Sequence, residues 1–332
     1  MHIAVDAMGG DFAPREIVRG AVEAARSLPG LDKITLVGDE AAIRREYASC
    51  GAIPATLNIQ HAMEAVGMEE SPANAIRRKK DNSISRAVDL VKKGLADAMI
   101  SAGNTGAVVV AATLKLRTLP GIDRPAIATV MPTPEKPFVL IDAGANTDCP
   151  ARLLLQFAIM GQIYAQRILG CQNPRIGLMS VGTEESKGNE ITKEAFHLLS
   201  EAKLNFSGNI EGHDLYKGNV DVAVCDGFVG NVILKTSESV VHATGHWIKQ
   251  EFSRSPLRIL GALLLTRALR DMKKRVDPDL AGGAPLLGVN GVCIISHGSS
   301  SARAIYHAIR VARDSVNARI NELITQTIGS SS

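Results

Sequence analysis

Short runs of β-branched and apolar residues recur along the chain, separated by longer stretches in which apolar residues return every three or four positions. A compact apolar run reads as a buried strand and the 3.6-residue period as a helix packed on one side. Strands are predicted at His2–Val5, Ile34–Gly38, Thr56–Gln60, Ala98–Ser101, Ile127–Met131, Phe138–Asp142, Arg175–Val181, Val222–Asp226 and Val292–Ser296. Helices are predicted at Pro14–Ser27, Ser83–Lys93, Pro150–Leu169, Thr192–Ala202 and Ser301–Thr327. Regular alternation of the two predicts an α/β fold, a mostly parallel doubly wound sheet covered on both faces.

The turns that follow the strands carry more information than the strands. Six strands end in a polar, glycine-rich turn that opens a helix: Asp6–Asp11, Ser101–Gly106, Asp142–Thr147, Gly182–Asn189, Asp226–Asn231 and Ser296–Ser300. Glycine lets a backbone come close to a ligand, and free N–H groups at a helix start hold anions. A tight turn alone also favours glycine and asparagine, so no single motif decides the matter. Taken together on one edge of a doubly wound sheet, the six turns predict an anion-binding crevice.

One segment departs from the alternation. Ser237–Ile248 reads as a helix, Leu257–Leu265 is almost wholly apolar, and Thr266–Val276 is helical and basic. Seven Arg or Lys fall between Arg254 and Arg275 against one acidic residue, Asp271. Residues 237–280 thus read as a helical hairpin with an apolar tip (Leu257, Ile259, Leu260, Leu263, Leu264, Leu265) and a positive flank. Such a segment suits the surface of an anionic bilayer. It suits equally a core or dimer helix, or a dock for an acidic protein.

Composition removes several alternatives. The 332 residues carry a formal net charge of +3 and one Trp, which argues against a nucleic-acid partner. Five scattered cysteines, with no CxxC pair, fit a reducing cytoplasm better than a disulfide framework. The start at Met1 lacks a charged region followed by an apolar one, so no signal peptide is expected, and no apolar run nears the roughly 20 residues of a membrane span. No GxGxxG follows a strand and no GxSxG elbow occurs; Gly177–Gly182 continues as Thr183-Glu184 where a phosphate loop needs Lys-Ser/Thr. His242 and His246 lack an acidic companion and read as surface residues, and Cys225 as a small core residue.

The ordered set Asp6-Ala-Met-Gly-Gly-Asp11, Ala75-Ile-Arg-Arg-Lys-Lys80, Ser101-Ala-Gly-Asn-Thr-Gly-Ala107, Gly144-Ala-Asn146, Lys187-Gly188, Cys225-Asp-Gly-Phe-Val-Gly-Asn-Val232, Leu234-Lys-Thr236 and Ser296-His-Gly-Ser299 closely resembles the bacterial phosphate acyltransferase (PlsX) family. The likeness runs in order from the first strand to beyond His297. It implies one catalytic domain over residues 1–332, a three-layer α/β/α sandwich of the isopropylmalate-dehydrogenase-like type, and a homodimer. It implies the transfer of a fatty acyl group from acyl-[acyl carrier protein] to inorganic phosphate, and no cofactor or metal. The acyl phosphate would feed a membrane acyltransferase acting on glycerol 3-phosphate, at the start of phospholipid synthesis, and the protein would be cytoplasmic with peripheral membrane contact. A phosphotransacetylase-like enzyme using acyl-CoA is the alternative.

With phosphate as nucleophile, the site has only to hold an anion beside the thioester and stabilise the carbonyl oxygen as it becomes tetrahedral. Lys187, in its glycine-flanked loop, is expected to neutralise one of these charges. His297 is expected to protonate the leaving thiolate or bind phosphate. Asn231 completes the expected catalytic set. Phosphate and substrate binding is expected from Asp6, Gly9, Gly10, Asp11, Ser101, Gly103, Asn104, Thr105, Gly144, Asn146, Gly188, Asn189, Asp226, Gly227, Gly230 and Ser299, although the asparagines and aspartates equally suit turns and caps. Arg77, Arg78, Lys79 and Lys80 form a landing site for an acidic carrier protein, or a solvated surface.

Overall fold

The computed structural model describes residues 1–275, 277–280 and 282–331. Val276, the predicted end of the basic helix, and Ala281 lie outside the described residues, as does Ser332. The strands are β1 (His2–Asp6), β2 (Lys33–Gly38), β3 (Leu57–His61), β4 (Ala98–Ser101), β5 (Ala126–Met131), β6 (Phe138–Ile141), β7 (Ile176–Met179), β8 (Phe206–Ile210), β9 (Val222–Val224), β10 (Ala284–Leu287) and β11 (Val292–Ile295). The helices are α1 (Arg15–Ser27), α2 (Glu40–Tyr47), α3 (Pro72–Arg78), α4 (Ser83–Lys92), α5 (Thr105–Leu116), α6 (Ala151–Ile168), α7 (Glu190–Glu201), α8 (Gly227–Phe252), α9 (Pro256–Leu264), α10 (Thr266–Arg275), α11 (Ala302–Asn317) and α12 (Ile320–Ser331).

All eleven strands join one sheet in the order β3-β2-β1-β4-β11-β10-β5-β6-β9-β7-β8. Strand side chains alternate between its faces. Ile3, Val5, Ile100 and Ile294 therefore pack under α1 and α11, while Ala4, Met99 and Cys293 point to the other face, beneath α4 and α5. In the second half, Val139, Ile141, Val222 and Val224 meet α6, and Phe138, Leu140 and Ala223 meet the start of α8. Helices thus cover both faces, giving the predicted three layers and a mostly parallel sheet.

The predicted single edge for the six turns does not survive. Pairing is parallel within each half, but β11–β10, β10–β5 and β5–β6 are antiparallel. Three reversals leave the halves pointing in opposite directions. The turns after β1, β4 and β11 lie at one edge of the sheet, and those after β6, β7 and β9 at the other. Nothing in a strand-turn-helix pattern records strand direction, so the sequence has no means of showing the reversal.

Other boundaries also shift. The long helix α8 begins ten residues before the predicted Ser237, because Asp226 caps it by accepting from the Val229 N–H. The predicted helix Ser301–Thr327 divides into α11 and α12 at Ala318–Arg319, where Arg319 adopts φ 52.

Candidate active site

The first edge is assembled around Asp6. Its buried carboxylate accepts from Ser101 Oγ at 2.6 Å and from the Met8 N–H at 3.1 Å, tying the turn after β1 to the turn after β4. Burial pushes the Asp6 carboxyl up, and the hydrogen bond from Ser101 opposes this. Gly9 is required here, since a Cβ at that position would lie 2.5 Å from Asp6 Oδ2 and from the Gly103 nitrogen. The Asp11 N–H donates to the Gly298 carbonyl at 2.8 Å, so the His297 turn joins the same group. Asp6 therefore organises the turns rather than facing a ligand. Asn104 is occupied too: it caps α5, directly before Thr105, through the Ala107 N–H and donates to the Met68 and Glu70 carbonyls.

The second edge is built in the same way around Asp142. Its Oδ1 accepts from the N–H groups of Ile127, Gly144 and Ala145, and its Oδ2 from the backbone and side-chain nitrogens of Asn146. Asn146 also donates to the Pro125 carbonyl at 2.7 Å, so it is a turn anchor. The helix start fits closely against this turn: the Gly227 N–H donates to the Asn146 carbonyl, and a Cβ on Gly230 would stand 1.9 Å from the Asp142 carbonyl oxygen. Asp226 and Asn189 are the N-caps of α8 and α7. Asn231 makes no side-chain hydrogen bond among the described residues and faces Gly144, where an added Cβ would lie 3.6 Å from that of Asn231.

The two edges are bridged by α8. Gly227, Asn231 and Lys235 are spaced four apart and share one face of the helix. Eight residues of helix rise about 12 Å, and a four-residue strand such as β6 spans about 13 Å. The first two turns of α8 therefore carry this face from the Asp142 turn across to the His297 turn. There Lys235 Nζ lies 2.9 Å from His297 Nε2 and 3.2 Å from Glu238 Oε2. His297 Nδ1 lies 2.8 Å from Ser299 Oγ. Gly144, Asn231, Lys235, His297 and Ser299 thus line one strip, with Asp6 and Asp142 withdrawn into the turns below it and Glu238 paired with Lys235.

From sequence Lys235, within the Leu234-Lys-Thr236 motif, reads equally as a crevice cation or a helix-start cation, and the structure sets it at the His297 turn. Its i+4 spacing from Asn231 would have singled it out had the helix start been placed at Gly227. Lys187 is exposed in the turn after β7, at the second edge, and the hydrogen bond it makes, N–H to the Glu184 carbonyl, stays in that turn. Gly188 (φ +97) sits tightly against Thr192 and Ser180. The structure does not bring Lys187 to His297. Cys225 follows β9, wholly buried, with its thiol pushed well up by burial, which suits a core residue.

Away from the strip, Arg77, Arg78 and Lys80 have no ion-pair partner among the described residues, whereas Lys79 is held by Glu70 and the Ala65 carbonyl. Arg77, Lys80 and Lys115 rim a groove of about 390 Å³ floored by Ile76 and Val110. At the far end of α8, no residue of α9 is buried; Leu257 and Leu264 are 79% and 81% exposed. Glu251 pairs with both Arg254 and Arg258, trimming the positive flank. No helix among the described residues is long and apolar enough to cross a membrane.

The fold is that of solved phosphotransacylases. A phosphotransacetylase from Streptococcus pyogenes matches with TM-score 0.62 at 22% identity, over 97% of this chain and 94% of that one. A branched-chain phosphotransacylase from Enterococcus faecalis gives 0.57 at 15% identity, over 95% and 99%. Sequence then defines the family more narrowly. The model of the fatty acid synthesis protein family matches residues 1–323. The phosphate acyltransferase of Pelotomaculum thermopropionicum is 53% identical over 330 residues, 99% of this chain and 96% of that one. That of Heliobacterium modesticaldum is 54% identical over 318 residues, 95% and 94%. The chain belongs to the phosphate acyltransferase family and is an acyltransferase.

Proposed function

We propose that this protein transfers a fatty acyl group from an acyl-[acyl carrier protein] thioester to inorganic phosphate along the α8 strip, in the first stage of phospholipid synthesis. The observation that carries the reading is the Lys235–His297 contact, which sets a cation and a proton carrier side by side at the glycine turn after β11. A phosphate oxygen attacks the carbonyl carbon, the C–O bond forms, and the C–S bond breaks with its electron pair on sulfur. The proton of HPO4²⁻ passes through His297 to the thiolate, giving acyl phosphate and free thiol with charge and atoms balanced. Asn231, whose side chain makes no hydrogen bond among the described residues, stabilises the carbonyl oxygen as charge builds on it. Lys187, an exposed cation on the Gly144 side, neutralises charge from that edge.

The cations Arg77, Arg78 and Lys80, without ion-pair partners among the described residues, support an acidic carrier protein as acyl donor. Thiol release measured with matched acyl-carrier and acyl-CoA substrates, with and without phosphate, tests the whole reading. Faster turnover of the CoA ester rejects the carrier, and an unaltered rate in Lys187→Ala removes that lysine from the chemistry.

Two surfaces support further assembly. Along α8 the side chains of Phe228, Val232, Val240 and Trp247 stand 49–63% exposed, apolar area that a second copy in a homodimer would cover. Sedimentation as a monomer at micromolar concentration would remove that dimer. The bare apolar face of α9 supports peripheral attachment to an anionic bilayer, where a membrane acyltransferase would consume the acyl phosphate on glycerol 3-phosphate. Replacing Leu263, Leu264 and Leu265 by Ser is expected to weaken binding to anionic liposomes at least tenfold while leaving turnover in solution unchanged. Undiminished co-sedimentation with the liposomes would rule out this anchor.

A further inference from the structure

We propose that Lys235 has two linked tasks: it captures inorganic phosphate, and by doing so it uncovers the basic nitrogen of His297. The inference rests on phosphate being the acyl acceptor, and it adds an order of events that the reaction alone does not require.

The starting point is the protonation pattern. An ammonium group has only hydrogens to give. At 2.9 Å from Lys235 Nζ, His297 Nε2 must therefore accept, with its lone pair directed at the lysine. The proton of the neutral ring then sits on Nδ1 and points to Ser299 Oγ at 2.8 Å. The Ser299 N–H also lies 3.2 Å from Nδ1, but it cannot donate to a nitrogen that already carries a proton, so the shorter hydroxyl contact prevails.

In this state His297 cannot take a proton from phosphate, because its one free lone pair is occupied by Lys235. Lys235 also cannot leave toward the protein: its second partner, Glu238 Oε2 at 3.2 Å, is one turn along the same helix and holds the side chain at the strip. A phosphate dianion changes the balance. Its two charges attract the ammonium more strongly than the single charge of Glu238 and the neutral ring nitrogen that hold it in the empty site. The Lys235 side chain is half exposed, so its ammonium can reach an anion in the solvent beside it. Nε2 is then free beside a hydroxyl of the phosphate that Lys235 has just bound. The base becomes competent only once its proton donor is in place, which guards the thioester against activation of water in an empty site.

The test uses the full chain labelled with ¹⁵N in its eight histidines, with the His297 signals assigned by their loss in His297→Asn. Inorganic phosphate alone is titrated in at constant ionic strength. In the wild type the Nε2 resonance is expected to move as its ammonium partner departs, while Nδ1 stays protonated. In Lys235→Met the Nε2 resonance should begin at the uncovered position and ignore phosphate, and KM for phosphate should rise at least tenfold. Lys235→Arg, which keeps the charge, should restore most of that KM. A wild-type Nε2 signal that does not respond to saturating phosphate overturns the proposal, as does an equal response in Lys235→Met. Thiol release by the wild type is scored separately: its absence would defeat the acyl-transfer reading, whereas the tautomer measurement stands without turnover.

Discussion

His297→Asn is expected to lower kcat for phosphate-dependent thiol release by about 10²–10⁴-fold, the usual span for a lost proton-transfer group. Asparagine suits the test because its side-chain oxygen can accept from the N–H two residues on. That bond holds Ser299 in place of the ring's contact with the Ser299 hydroxyl and keeps the turn, while the amide carries no transferable proton. His297 is exposed, so no core contact is lost and the far-UV spectrum and urea midpoint should match the wild type. The loss should fall on kcat more than on KM for phosphate, because Lys235 remains as the binding cation. Retention of more than a third of the wild-type rate would exclude His297 as the proton carrier.

Asp142→Ala should cost stability rather than chemistry. Five donors converge on this carboxylate, four backbone N–H groups and the Asn146 amide. Each buried donor left without a partner costs about 1–3 kcal/mol, so even with some entry of water the loss is on the order of 5 kcal/mol. That is a large share of the roughly 5–15 kcal/mol by which a domain is usually stable. Asp142→Asn should fall between, since its oxygen can serve three donors while its NH₂ opposes the two from Asn146. A urea midpoint for Asp142→Ala equal to that of the wild type would show that the turn is held by other means.

The same residue gives stability a pH dependence of definite sign. Burial pushes the Asp142 carboxyl up, and the hydrogen bonds led by the Ala145 N–H only partly offset this. The folded protein therefore binds this proton more tightly than the unfolded chain. The associated stability is complete below the unfolded carboxylate range and is lost as pH rises through the raised folded value. Asp6 is raised by the same cause, so the comparison must be a difference. The advantage of wild type over Asp142→Asn in urea unfolding should shrink as pH climbs from about 4; a constant advantage would mean that desolvation does not govern this carboxyl.

Most elements were legible because their physics is local. Nine strands announce themselves as apolar runs, and the caps Asn104, Asn189 and Asp226 stand directly before the helices they start. Strands β8 and β10 escaped because Gly208 interrupts one and Pro285 the other, breaking the apolar signature at the point where it would be read. The division between α11 and α12 carries no glycine or proline to mark it; Arg319 takes a left-handed φ because the two helices pack against different clusters.

By itself the sequence determined the α/β class, the glycine turns, the residues able to bind an anion and, through its ordered motifs, the acyltransferase family. Tertiary structure alone decided which of those residues meet. Periodicity and capping act over a few neighbouring residues, so they are written in order along the chain. Strand direction depends on which distant segments pair, and three antiparallel pairings sent half of the turns to the opposite edge. Only the path of α8 across the sheet then brought Lys235 to His297, sixty-two positions away in the chain.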